Sequence, residues 1–262
     1  MSTNAKLNTS RLLLSKLREG DYAHAGDEEA IDIVLRDVFA FVPSLKEEAV
    51  LDVGSGFGGT ASYLTRMGFT NVQGFDLDEA AVDYAKEKYR HITFKVADAL
   101  KINQSYAPQS FSFLSLLNVI YAIQDKECLL KNLATLSKPG GILALFDYAQ
   151  TKESLTYSVK DLAGNPMYPV HMSTIEQDFK TAGWKLLRTT DMTSHFIRWY
   201  RTFLDKLSDQ VSILQQEFAS QDIQKVQATF AFLLDQFEKG YLGGVIIYAQ
   251  KKETECADRR II

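Results

Sequence analysis

The sequence predicts an α/β protein, a largely parallel sheet with helices on both faces and one late antiparallel strand, and three observations carry this. The first is the stretch Val50 to Thr60, VLDVGSGFGGT, where apolar residues flank Asp52, four glycines (Gly54, Gly56, Gly58, Gly59) follow, and a helix-compatible run ASYLTRM comes next. The second is the alternation downstream of nearly continuous apolar segments with amphipathic ones, the pattern of strands buried on both faces between crossover helices. The third is a last apolar segment, Gly243 to Gln250, arriving after the long helical stretch 193–240. A strand returning from so long an excursion most easily lies antiparallel beside its predecessor.

In chain order, residues 8–19 suit a short amphipathic helix ending at Gly20. Residues 26–41 combine an acidic first turn with apolar residues at helical spacing and stop before Pro43. After the glycine turn, Asn71 to Asp76 reads as a strand, Glu79 to Tyr89 as a helix and Ile92 to Ala97 as a strand. Phe111 to Leu117 is a further strand, Lys126 to Ser137 a helix, Pro139-Gly140-Gly141 a turn and Ile142 to Asp147 a strand. Residues 173–182 are helical by pattern, Trp184 to Thr190 is a strand, and residues 251–262 form a charged, frayed tail.

A glycine turn between strand and helix lets main chain approach a ligand closely, and the helix start aims unpaired N–H groups at it. A nucleotide-type cofactor site follows. The spacing G-x-G-x-G-G departs from the dinucleotide fingerprint G-x-G-x-x-G, and Asp52 at the mouth of the turn suits a cationic ligand portion such as an α-amino group or a sulfonium. Asp76 ends the second strand, where an acidic side chain can accept both ribose hydroxyls. Asp78, ahead of EAAVDYAKEKY, is the better candidate for the helix cap.

The segments GSGFGG, FDLD, VADA, LLNVIYAI and LSKPGGILALFDYA occur in the order of the motifs of class I S-adenosylmethionine (SAM) methyltransferases, which the chain resembles over residues 45–150 and more weakly to residue 250. The resemblance implies a Rossmann-like mixed seven-stranded sheet with a helical cap inserted before the last strand. It implies a single domain, 1–262, with an N-terminal helical lid 1–42, a SAM-binding core 43–150, and an acceptor-side half 151–250 holding the insertion 193–240. It gives cofactor contacts to Tyr22, Asp52, Gly54, Ser55, Gly56, Gly58, Asp76, Leu77, Asp98, Ala99 and Asn118, with Asp98 and the Ala99 amide on adenine and Asn118 near the methionine part. Tyr22-Ala-His24-Ala-Gly26 is similar to the closing segment of small-molecule methyltransferases of the phosphoethanolamine, glycine/sarcosine and sterol or terpenoid types, and Phe146-Asp147-Tyr148-Ala149 resembles their acceptor-facing motif.

The acceptor is less well specified. Tyr22, His24, Tyr148 and His195 are the candidate catalytic residues; His171 also falls in a segment expected over the strand ends, whereas His91 lies at the far end of the sheet. An amine acceptor needs only to lose its proton, while an alcohol or acidic carbon needs a base. The expected reaction is methylation of an amine nitrogen on a small molecule, with O- or C-methylation of an apolar metabolite as the near rival. A nicotinamide-dependent oxidoreductase and a non-catalytic SAM-binding protein are the readings from other classes. No arginine occurs between Arg90 and Arg188, and Ala122 stands where phosphobase enzymes often carry histidine, so a phosphobase acceptor is disfavoured unless Arg198 or Arg201 supplies the charge. The aromatic residues Phe196, Trp199, Tyr200, Phe203, Phe218, Phe230, Phe232 and Phe237 read mainly as helix packing, with a minority lining an acceptor pocket.

Composition bounds the rest. The chain has 262 residues, 46% hydrophobic, with a net charge of −4 and no basic run, which argues against a nucleic-acid substrate. Two distant cysteines, Cys128 and Cys256, offer neither a disulfide framework nor a zinc site and suggest a reduced, cytoplasmic setting. There is neither a signal-like nor a membrane-spanning apolar run. A monomer or homodimer is expected.

Overall fold

In the computed structural model, which describes residues 7–151 and 159–253, the glycine turn sits at the centre of one mixed sheet. Strand β1 (Ala49–Val53) pairs in parallel with β2 (Asn71–Asp76) on one side and β4 (Phe111–Leu117) on the other. Beyond β2 lies β3 (Thr93–Val96), and beyond β4 lies β5 (Ser137–Gln150), both parallel to their neighbours. A two-residue strand β6 (Val170–His171) pairs with the end of β5. The strands β7 (Trp184–Asp191) and β8 (Leu242–Lys251) complete the order β3-β2-β1-β4-β5-β8-β7. β8 is antiparallel to both neighbours and inserts between β5 and β7, as the late-strand pattern predicts.

Alternate residues along each strand feed two cores, because successive side chains point to opposite faces. One face carries Val50, Phe113, Phe146, Ile246 and Tyr248. It is covered by α1 (Thr9–Arg18), α2 (Asp27–Phe41), α3 (Gly59–Arg66), α7 (Thr193–Leu214) and α8 (Ser220–Glu238). The other carries Leu51, Leu114, Leu143 and Ile247 against α5 (Lys126–Leu136) and α6 (Ile175–Thr181). There the buried Trp184 ring also donates its indole N–H to the Leu130 carbonyl at 2.9 Å.

The helix ends follow local chemistry. Asn8 caps α1 and Asp78 caps α4 (Glu79–Lys88), accepting from the Ala80 and Ala81 amides. Asp27, Glu28 and Glu29 place negative charge in the first turn of α2, where the helix dipole favours it.

Three details differ from the sequence pattern. The Pro139-Gly140-Gly141 turn lies inside β5: Phe111 pairs with Ser137 and Phe113 with Ile142, so Ser112 alone faces the four-residue excursion. Ala99–Gln104 winds into a 3₁₀-helix capped by Asp98. The helical stretch 193–240 is two helices, α7 and α8. The expected tail lies outside the described residues from 254 on, as does Cys256.

Asp125 caps α5 by accepting from the Cys128 amide at 2.9 Å. Asp125→Ala should cost about 1 kcal/mol of unfolding free energy, read from the urea midpoint with an unchanged slope.

Candidate active site

The carboxyl ends of β1, β2 and β4 form a crevice around the glycine turn. Gly54 has φ +69°, and a Cβ there would stand 2.6 Å from the Val119 side chain, so the second residue after β4 packs directly against the turn. At Gly56 (φ +51°) a Cβ would meet nothing nearer than an Arg11 nitrogen at 3.9 Å, which marks the open side of the crevice. Asp52 is buried and accepts from the Ala61 amide, but its Oδ2 has no partner. Burial pushes its carboxyl up to about 8, and the neighbouring Asp76 charge adds to this. Ser55 Oγ and Asn118 Nδ2 are likewise buried without partners. Buried polar atoms are nearly always paired, so three orphans gathered at one strand edge describe a place for a polar ligand.

Asp76 accepts from Gly56 N at 2.8 Å through one oxygen and from Asp78 N at 2.9 Å through the other. Each oxygen keeps a second lone pair, and the carboxylate is held at the crevice floor. Asp78 takes the capping role, so Asp76 is released from it. Leu77, next in sequence, is 71% exposed, a large apolar side chain left at the mouth. Asp98 Oδ1 accepts from Leu100 N at 2.9 Å, and Ala99 opens the 3₁₀-helix beside it.

Residues 19–26 roof this crevice. A Cβ on Gly59 would lie 2.5 Å from the Asp21 carbonyl carbon and oxygen, so the roof rests on the first residue of α3. The Asp21 carboxylate is fully enclosed by Ser15 Oγ (2.6 Å), Tyr89 Oη (2.6 Å), Tyr84 Oη (3.2 Å) and Lys88 Nζ (2.7 Å). Ala25 N donates to Asn118 Oδ1 at 3.1 Å. His24 is buried, with Nδ1 at 3.1 Å from the Ala25 carbonyl and Nε2 at 3.2 Å from Thr60 Oγ1, and burial lowers it to about 4. Both ring nitrogens are therefore engaged and the ring is neutral. Tyr22 stands beside His24 with ring centroids 5.8 Å apart, but its hydroxyl donates to Glu28 Oε1 at 2.7 Å and meets Arg66 Nη2 at 3.0 Å. Arg11, on α1, reaches over the turn to within 3.5 Å of the Asp78 carboxylate.

At the carboxyl end of β5, Asp147 is fully buried. It accepts from the amides of Val119 (2.8 Å) and Ile120 (2.9 Å), and from Tyr148 N at 2.7 Å. This fixes the turn after β4 against β5, and with it Tyr121, whose ring meets Tyr148 edge-on at 5.2 Å. The Tyr148 and Tyr200 hydroxyls hydrogen-bond to each other, and burial raises both well above the usual phenol range. Phe196 stacks on Phe146 at 4.9 Å and on Phe237 at 5.1 Å. His195 is turned to Trp199, with ring centroids at 5.5 Å, on the side of Glu29. Arg198 is paired with Glu29 and Arg201 with Glu238. His91 and His171 are exposed.

Of the residues expected from sequence, the structure gathers Asp52, the glycine turn, Ser55, Asp76, Leu77, Asp98 and Asn118 at one edge, and brings Tyr148 to the aromatic cluster beside it. It commits the Tyr22 hydroxyl to Glu28 and Arg66 and the two His24 nitrogens to Ala25 and Thr60, and it packs His195 against Trp199. Arg11, Arg18, Asp21 and Tyr200 were not singled out for the site. Arg11 and Arg18 lie seven apart on one helix, the spacing of a shared face, and that was the available signal.

A parallel sheet with a ligand crevice at its carboxyl edge and a late antiparallel strand defines a cofactor-binding α/β enzyme fold. A family profile described as "Methyltransferase domain" matches residues 44–202, and the chain belongs to that family. Phosphoethanolamine N-methyltransferase 1 of Arabidopsis thaliana is 26% identical over 180 residues, which is 67% of this chain and 36% of the relative. The chain thus spans about a third of the length of that relative. Among solved structures, Haemonchus contortus phosphoethanolamine N-methyltransferase 2, in complex with phosphomonomethylethanolamine and S-adenosylhomocysteine, superposes with a TM-score of 0.81 at 18% identity, covering 96% of this chain and 60% of the other. A putative sarcosine dimethylglycine methyltransferase from Galdieria sulphuraria gives 0.75 at 16% identity, covering 86% and 85%. The family match leaves the oxidoreductase reading without support. Among the described residues no helix is long and apolar enough to cross a membrane.

Two outcomes follow from this geometry. Asp52 binds its proton more tightly folded than unfolded, so it makes stability fall as pH rises from about 4 to about 8. Asp52→Asn should flatten that fall in the ligand-free protein, measured by urea midpoints across the range. Gly59→Val should push the roof off α3 and speed release of S-adenosylhomocysteine in stopped-flow displacement, whereas an unchanged rate would detach the roof from cofactor exchange.

Proposed function

We propose that this protein transfers a methyl group from SAM to the nitrogen of a small amine. The observation that carries it is the set of orphaned buried atoms, Asp52 Oδ2, Ser55 Oγ and Asn118 Nδ2, beside an Asp76 carboxylate held in place by two amides. These fit the groups of SAM: the amino-acid portion with its ammonium offers donors to Asp52 and acceptors to Asn118 and Ser55, and the ribose hydroxyls can donate to the free lone pairs of Asp76. When bound, the cofactor supplies an electrophilic methyl group on a sulfonium.

The chain's own part is binding, orientation and exclusion of water. The roof residues 19–26 cover the crevice, and the aromatic cluster around Tyr148 shapes the acceptor side. An amine acceptor is favoured over an alcohol or carbon because the groups beside the crevice and the aromatic cluster are already engaged. Both His24 nitrogens are bonded, and the Tyr148 and Tyr200 hydroxyls keep their protons at neutral pH; His195, whose buried Nδ1 has no partner, packs on Trp199. An amine that enters deprotonated needs no general base. The phosphoethanolamine and sarcosine relatives act on amines by their names, which supports the same reading.

The test is methyl transfer from methyl-labelled SAM to matched amines, alcohols and acidic carbon compounds, with label expected in the amines; label confined to the others would overturn the reading. In parallel, Asp76→Ala should weaken S-adenosylhomocysteine binding about 10- to 100-fold by calorimetry. Tyr148→Phe should lower turnover more than cofactor affinity.

A further inference from the structure

We infer that Arg18, with the Tyr148–Tyr200 hydroxyl pair, forms a subsite for an anionic group, a carboxylate or phosphate, on the methyl acceptor. This rests on the reading of the chain as acting on a small amine, and names a feature of that amine.

Arg18 ends α1, and its side chain is only 4% exposed. Its Nη1 donates to the His24 carbonyl and to Asp27 Oδ1, the latter at 3.0 Å. Its Nε is buried and has no partner. The guanidinium carbon lies 5.3 Å from the centre of the Phe203 ring and 5.9 Å from that of Phe230. A basic residue at a helix C-terminus is favourable on the surface, where it meets the dipole at little desolvation cost. Arg18 is instead enclosed by aromatic rings, and a clamp between α1 and α2 would account for Nη1 but not for Nε.

The tyrosines complete the argument by proton counting. Tyr148 and Tyr200 carry one hydroxyl proton each, and one of the two serves their mutual hydrogen bond. The second is left to donate, and among the described residues neither hydroxyl has a further partner. Tyr200 and Arg18 share the Phe230 ring, which meets Tyr200 edge-on at 5.2 Å. The guanidinium charge acts on both tyrosines. One guanidinium N–H and one phenol O–H, both without an acceptor and both walled by apolar rings, complement a group that only accepts and carries negative charge. Asp27 opposes it through Nη1, but burial pushes its carboxyl up, which weakens it as a counter-ion, and Nε stays unpaired. The sequence argument against a phosphobase acceptor rested on the lack of arginine between Arg90 and Arg188 and on Ala122. Arg198 and Arg201 are spent on Glu29 and Glu238, and the required cation comes from the N-terminal helix.

The test uses the full chain saturated with S-adenosylhomocysteine. Phosphate or acetate, at ionic strength held constant with chloride, should raise the melting temperature of the wild type. The rise should vanish in Arg18→Gln, shrink in Tyr200→Phe and return in part in Arg18→Lys. In turnover, Arg18→Gln should raise KM about tenfold or more for the anionic acceptor, with a much smaller change in kcat. Phosphoethanolamine and sarcosine separate phosphate from carboxylate, each set against an uncharged amine, ethanolamine or dimethylamine. Equal stabilisation of wild type and Arg18→Gln, or of neither, overturns the subsite. So does loss of fold and cofactor affinity in Arg18→Gln alongside an intact anion response in Tyr200→Phe, which would make Arg18 a clamp. Anion binding that follows Arg18, with no amine methylated, supports the subsite and overturns the amine reading instead.

Discussion

The close approach of Asp21 to Gly59 is the constraint on which the rest of the site depends. The main chain of the roof lies where any side chain on the first residue of α3 would stand. That approach draws the Asp21 carboxylate into its cage of Ser15, Tyr84, Tyr89 and Lys88, three of them donors from outside the roof's own helix. It also brings Ala25 to Asn118 and His24 to Thr60. Lifting the roof would break all of these hydrogen bonds at once, so the contacts hold it down together. The buried neutral His24 belongs to this arrangement: its ring is a spacer between roof and α3, and its low proton affinity follows from enclosure.

The charges are divided along the same line. Three acidic side chains, the carboxylates of Asp76 and Asp98 and the proton-holding carboxyl of Asp52, come from the strand ends, and two guanidiniums, Arg11 and Arg18, come from one face of α1. Arg11 stands over the glycine turn and Arg18 among the aromatic rings of α7 and α8. One helix therefore touches both the crevice and the aromatic cluster, and a shift of α1 alters the electrostatics of the two together.

Much of this was legible in the chain. The strand–glycine–helix signature, the alternation and the late strand specified the sheet, because burial on both faces forces continuous apolar runs and crossover helices. Asp78 was legible as the helix cap, since a cap sits directly before its helix, which left Asp76 free of that role. What was not legible depends on tertiary approach. Nothing local distinguishes the buried Arg18 from any basic residue in the last turn of a helix, and the Tyr148–Tyr200 pair joins residues of β5 and α7. The Tyr22 hydroxyl is drawn off by Glu28, in the first turn of α2. The Pro139-Gly140-Gly141 signal was right about the turn; that strand pairing resumes on both sides of it is set by Phe111, a residue far away in sequence.

The position of β8 has a consequence for biosynthesis. It fills the space between β5 and β7 and pairs with β5 over Ile142 to Gln150, so the apolar edge of β5 stays open until nearly the last described residue has been made. A nascent chain emerging from the ribosome can close the β1–β4 half early, but it carries an unpaired, hydrophobic strand edge for the whole time α7 and α8 are being synthesised. Such an edge invites pairing with other chains.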